Sequence, residues 1–123
     1  RRILERYTRE RRPGDSDILV MNGLPRHVSQ AADVDNLVDM KLIVYLKCDA
    51  STARARIERN TGGDRAGRQD DSPSDIENKA KTFMRRTLPI LDHYRRKGIE
   101  VFETPVDVET EPEEMLRLIE GNI

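Results

Sequence analysis

An unbroken apolar run, Ile18-Leu19-Val20-Met21, constrains this chain more than any other feature, and Leu42-Ile43-Val44-Tyr45-Leu46 repeats it. Runs without polar alternation suit strands buried on both faces, which belong to parallel sheets. Ile99-Glu100-Val101-Phe102-Glu103 alternates instead and suits an edge strand with one wetter face. Helical patterns fill the intervals. Residues 1–11 put Ile3, Leu4 and Tyr7 on one face and stop at Pro13-Gly14. Residues 28–40 read as partly helical, and residues 50–60 follow Asp49, a suitable N-cap. Ser74-Asp75-Ile76-Glu77 has the form of a capping box. It would open a long helix carrying Ile76, Ala80, Phe83, Met84, Thr87, Leu91 and Tyr94, with Lys97-Gly98 as its stop. Thr110-Glu111-Pro112-Glu113 is a second such box, before a short helix with Met115, Leu116 and Ile119 inward.

Strands separated by helices predict an α/β fold, a parallel sheet with flanking helices. At 123 residues the chain is expected to form one domain. Three strands make a thin sheet, and the opening helix has no strand before it. The expectation is therefore that the chain begins partway through a core domain.

Composition narrows the function classes. No apolar stretch approaches the roughly 18 residues that span a bilayer, so no membrane partner is expected. The single Cys48 excludes an internal disulfide and a Cys-based zinc cluster. With no visible signal peptide, a reducing, cytoplasmic setting is expected. A net charge of −1 argues against nucleic acid as a partner. That near-neutrality hides a gradient: residues 1–12 hold six Arg, whereas residues 98–123 hold eight acidic groups against Arg117 alone. Arg accounts for 17 of the 22 basic residues, and its planar fork matches phosphate oxygens where Lys offers a point charge.

Two motifs carry chemistry. Asn22-Gly23-Leu24-Pro25-Arg26 follows the first apolar run, with Gln30 four residues beyond the Arg. Ligands of open parallel sheets sit beyond the carboxyl ends of strands. Gly23 admits a close backbone approach, Pro25 fixes a turn, and Arg26 can grip a phosphate bidentately. The Gln30 amide both donates and accepts, as reading a base edge requires. Read without a ligand, the same residues are a strand-to-loop turn with an exposed Arg. The second motif is Gly67-Arg68-Gln69-Asp70-Asp71, preceded by Arg54, Arg56, Arg59 and Arg65 around a Gly-rich stretch from Gly62 to Gly67. Arg residues on a closing loop suit phosphoryl transfer, where catalysis is mostly positioning and charge neutralisation. Asp70 and Asp71 would hold Mg²⁺ through water or pin those Arg. The plainer reading is a charged surface loop whose ion pairs cancel.

From about residue 15 onward, these motifs in this order resemble the nucleoside monophosphate kinases, the adenylate kinase and UMP/CMP kinase group. The segments that carry the resemblance are ILVMNGLPRHVSQ, LIVYLKCDASTARARIER, DRAGRQDD and FMRRTLPILDHY. The resemblance implies a P-loop NTPase kinase-like fold of which this is the C-terminal part. It also implies a short lid at about residues 60–71 and transfer of the ATP γ-phosphoryl group to a nucleoside monophosphate, AMP first. By the same resemblance, Gly23, Arg26 and Gln30 bind the acceptor nucleotide, and Arg56 and Arg59 bind ATP. Arg68, Asp70, Asp71 and Lys79 take the catalytic positions, with Mg²⁺ entering alongside ATP.

Five departures accompany it, among them Leu24 in place of Phe and an Arg56–Arg59 spacing of three in place of four. Asn22 stands where the family has Asp, and a neutral amide binds a hard cation more weakly. Lys79 stands where the family has a second catalytic Arg and cannot make a bidentate contact. No G-x-x-x-x-G-K-[ST] loop occurs in the chain, which predicts that this polypeptide alone is inactive. The alternatives are a non-catalytic nucleotide-binding module, an interaction domain that self-associates through open sheet edges, or a kinase for UMP or CMP.

Overall fold

The computed structural model describes residues 2–61, 63 and 72–121. Element order is α1 (Arg2–Arg11), α2 (Val28–Asp35), β1 (Leu42–Lys47), α3 (Ala50–Arg59), α4 (Pro73–Thr82), a π-helical turn (Phe83–Thr87), α5 (Pro89–Arg96), β2 (Glu100–Pro105) and α6 (Pro112–Glu120). β1 and β2 pair in parallel from Leu42 opposite Glu100 to Lys47 opposite Pro105. The α/β class, the parallel pairing and the flanking helices are as the apolar runs predict.

The third expected strand is not formed. Residues 18–21 pair with no strand, and Ile18 and Val20 are 77% and 85% exposed. Apolarity selects residues for burial, but a strand exists only where a neighbour completes its hydrogen bonds, and the sheet among the described residues is two-stranded. Both outer edges of that pair are therefore open among the described residues.

Ile43 and Tyr45 lie on one face of β1, two residues apart. The π-helical turn and α5 cover that face. Ile43, Met40 and Ile99 pack on a buried cluster of Ala31, Ile90 and Tyr94, while Tyr45 stacks on Phe83 at 5.8 Å between ring centres. Val34, Leu91, Ile76 and Leu4 are also buried.

Local signals account for most helix ends. Asp49 caps α3 by accepting from the Thr52 N–H at 2.7 Å. Gly98 ends the α5 turn at φ +75°, where a side chain would be strained. Two capping boxes are corrected. α4 begins at Pro73, capped by Ser72, whose hydroxyl accepts from the Asp75 N–H at 3.2 Å. Proline is pre-set for the first helical position, so Ser72-Pro73 outcompetes Ser74. Thr110 does not cap α6; its hydroxyl accepts from the Asp107 N–H at 2.9 Å and closes the preceding turn. Leu116, expected inward, is 55% exposed.

The long helix is not uniformly α-helical. Pro89 lacks an N–H, and its ring would strike the carbonyl four residues earlier. The turn ahead of it widens instead, with Leu88 N–H donating to the Phe83 carbonyl at 2.9 Å, five residues back. Met84, expected on the inward face, is 65% exposed. No helix among the described residues is long and apolar enough to cross a membrane.

Candidate functional site

The Asn22–Arg26 loop is held by its own side chains. Gly23 has φ +74°, and the Leu24–Pro25 peptide is cis. A Cβ on Gly23 would lie 3.0 Å from Arg26 Nη2, which can give way, so it is the positive φ that calls for glycine here. Arg26 folds back and donates from Nε to the Gly23 carbonyl at 2.9 Å. Its backbone N–H donates to Gln30 Oε1 at 2.7 Å. Thr87, on the π-helical turn, donates to the Arg26 carbonyl at 2.9 Å. His27 starts α2, its Nδ1 accepting from the Gln30 N–H at 3.2 Å. Gln30 thus orders the loop with its oxygen and keeps its NH₂ for another partner. The Arg26 side chain remains exposed.

The second cation group lies on α3, beyond the finishing ends of the strands. Arg56 Nη1 donates to three backbone carbonyls, those of Asp107 at 2.5 Å, Val108 at 3.2 Å and Thr110 at 2.8 Å. Thr61 adds a bond to the Val108 carbonyl at 3.0 Å. Arg59, one turn further along and exposed, pairs with Glu109. Arg56 and Arg59 share a helix face, and that face clamps the turn that follows β2. This clamp was not foreseen in the sequence. Its signal is the Asp107-Val108-Glu109-Thr110 stretch, whose carbonyls and carboxylate sit about 50 residues from their Arg partners.

Arg68, Asp70 and Asp71 lie outside the described residues, as does most of the expected lid. Lys79 is exposed on α4 and has an interaction partner. Asn22 is exposed at the start of the first loop. Among the described residues no group of three or more His, Cys, Asp or Glu could hold a metal ion.

Two further groups near the strand ends have displaced acidities. Hydrogen bonds from Ser51 and from the Thr52 N–H hold the Asp49 carboxyl below its usual range. Desolvation, with Asp49 adding to it, pushes the Cys48 thiol up, so little of it is thiolate at neutral pH.

A third cluster was not singled out by the sequence. Asp35 Oδ2, at the end of α2, accepts from His93 Nε2 at 2.9 Å and Lys97 Nζ at 2.7 Å. Burial alone would raise the Asp35 carboxyl, but the bonds from Lys97, His93 and Tyr94 and the Lys97 charge outweigh it and leave it lowered. The partners are 58 and 62 residues away in sequence, which no local pattern reveals.

No protein-family profile matches the chain. Curated relatives do. An adenylate kinase of Prochlorococcus marinus (strain NATL2A) is 30% identical over 73% of this chain and 50% of its own length. One of Xanthomonas campestris pv. campestris (strain B100) is 28% identical over 72% and 51%. One of Clavibacter michiganensis subsp. michiganensis is 27% identical over 65% and 42%. The chain spans about half the length of the curated relatives it matches. With its two-stranded parallel α/β core and its ordered Arg26 loop, the chain is a relative of the nucleoside monophosphate kinases.

Proposed function

We propose that the chain carries nucleotide-contacting parts of a phosphotransferase that moves the ATP γ-phosphoryl group to a nucleoside monophosphate, AMP first. The observation that supports this best is the Asn22–Arg26 loop. It is braced from α2 by Gln30 and from the π-helical turn by Thr87, and it leaves a guanidinium exposed. A braced loop holds its cation where a phosphate can arrive without a further ordering cost. In this reading Arg26 binds the acceptor phosphate, and the Gln30 NH₂ meets the base. Arg59 exchanges Glu109 for the donor nucleotide, and Arg56 fixes the turn against which that nucleotide lies. Arg68 and Lys79 then neutralise and position the transferred group, while Asp70 and Asp71 hold Mg²⁺ through water or pin the Arg, with Mg²⁺ entering as part of the ATP substrate.

Isothermal calorimetry with a bisubstrate inhibitor that joins two adenosines through a polyphosphate tests this. Saturable binding that Arg26→Ala weakens at least about tenfold supports the assignment, since one charge-assisted hydrogen bond contributes about 1.5–3 kcal/mol. Binding indifferent to Arg26→Ala overturns it. Without a G-x-x-x-x-G-K-[ST] loop, the 123-residue polypeptide is expected to form no ADP from ATP and AMP. Asn22 and Lys79 favour a second reading, a module that binds nucleotide without transferring phosphate. An extended version of the chain that contains such a loop and still forms no ADP would select it.

A further inference from the structure

α6 keeps an apolar face that the rest of the fold only half covers. Met115, Leu116 and Ile119 lie on neighbouring positions of its surface, yet none of its residues is buried and Leu116 is 55% exposed. A nine-residue helix is marginal in water unless such a face is packed. Glu113, Leu116 and Glu120 are three and four residues apart, so the exposed leucine stands between two carboxylates on one side.

α1 repeats the pattern with the opposite charge. Leu4 is buried, but Ile3 is 84% and Tyr7 43% exposed. Ile3, Tyr7 and Arg11 follow one another at intervals of four and share a side of the helix. α1 carries Arg2, Arg6, Arg9 and Arg11 against Glu5 and Glu10, whereas α6 carries Glu113, Glu114 and Glu120 against Arg117. Arg6 already pairs with Glu10 at 2.7 Å, which leaves the surplus cations toward the two ends of α1. The helices match in length at ten and nine residues, about 15 Å. Laid antiparallel, they bring Arg11 level with Glu113, Tyr7 with Leu116 and Arg2 with Glu120. Their dipoles also attract in that direction.

In a single copy these side chains stay open to water, so the two helices do not cover each other. We propose that the chain self-associates, with α1 of one copy docking antiparallel on the Leu116 face of α6 in a second copy. Tyr7 and Ile3 cover Leu116, and the Arg and Glu residues at the helix ends pair around them. One such contact buries less than the roughly 1,000 Å² that a specific interface needs; reciprocal docking doubles it and closes a two-fold pair. The assignment is independent of the nucleotide reading, since it uses none of Arg26, Gln30, Arg56 or Arg59. It is also distinct from pairing at the open sheet edges, which leaves α1 and α6 untouched.

Sedimentation equilibrium of the 123-residue chain, from about 10 to about 500 µM, tests this. A monomer–dimer equilibrium is expected at about 50 mM NaCl, with a Kd on the order of 10–100 µM. At about 500 mM NaCl it should weaken about fivefold, because the charges around the contact are exposed and screened. Leu116→Glu changes an exposed residue and should abolish association. Arg2→Glu and Glu120→Arg should each weaken it about fivefold. Both changes suit the dipole of their own helix, so that loss cannot come from melting it. The double variant Arg2→Glu/Glu120→Arg presents the same pair with its signs exchanged and should recover wild-type association. A chain that stays monomeric at about 500 µM in low salt would overturn the proposal and leave the α6 face to another occupant. So would a double variant as weak as either single one. Association indifferent to Leu116→Glu would overturn it as well, and would move the contact to the sheet edges.

Discussion

The two ends of the β1–β2 sheet handle charge in opposite ways. At the starting end, Asp35 is enclosed by α2 and α5 and bonds His93 and Lys97 through one oxygen, beside the buried ring of Tyr94. At the finishing end, Arg56 and Arg59 sit on a helix face and reach into a surface turn, Arg56 to carbonyls and Arg59 to Glu109. The starting end is committed to packing, because its polar groups cannot exchange partners without exposing the core. The finishing end is made of replaceable contacts: a water or a phosphate oxygen can take the place of Glu109 at little cost. Scaffold and recognition are thus divided along the strand axis.

Tyr94→Ala presses that contrast hardest. It removes the most enclosed large side chain and should lower the unfolding free energy by about 3–5 kcal/mol in urea titration. A loss below about 1 kcal/mol would mean that the starting end is not the scaffold.

Asp35 comes next. Asp35→Ala strands two donors and should cost about 2 kcal/mol. Its carboxyl is lowered in the fold from an ordinary value near 3.8. A lowered carboxyl contributes stability that is full above its unfolded pKa and is lost as pH falls through the folded value. Wild type should therefore lose stability in acid below about pH 4, and Asp35→Asn should show a smaller loss over the same window. Parallel acid-unfolding curves for the two proteins would remove Asp35 from that account.

Arg56→Ala is expected to cost about 1–2 kcal/mol, because it frees three carbonyls of the 107–110 turn. Hydrogen exchange should quicken at Thr110 before it changes in β1. Arg59→Ala should cost under about 0.5 kcal/mol, since both members of its ion pair are more than half exposed. If Arg59→Ala proved as costly as Arg56→Ala, the finishing end would be structural too.

Legibility in the sequence followed the range of the interaction. Asp49 and Gly98 mark helix ends through bonds within four residues, and both ends lie where the chain implies them. β1 and β2 were readable as apolar and alternating runs. Ile18–Met21 reads no differently, yet it pairs with nothing among the described residues, because hydrogen-bonding partners are not encoded in a strand's own residues. Arg26 and Gln30 were readable as a pair because they are four apart and bond each other. The Asp35 cluster and the Arg56 clamp were not, since each closes across more than 50 residues. Pro89 was visible all along, but its consequence, a widened turn instead of a break, depends on how the helix is held at both ends.

That widened turn carries one residue beyond what an α-helix of the same length would use. Each residue of an α-helix advances the side chains by about 100° around the axis. Deleting one residue between 83 and 87 would restore an ordinary helix and swing everything on its amino-terminal side by about that angle, taking Ile76 off the core while Tyr94 stayed in place. The spare residue acts as a phase adjuster: it lets one continuous rod present two differently oriented faces, one from α5 to the sheet and one from α4 to α3.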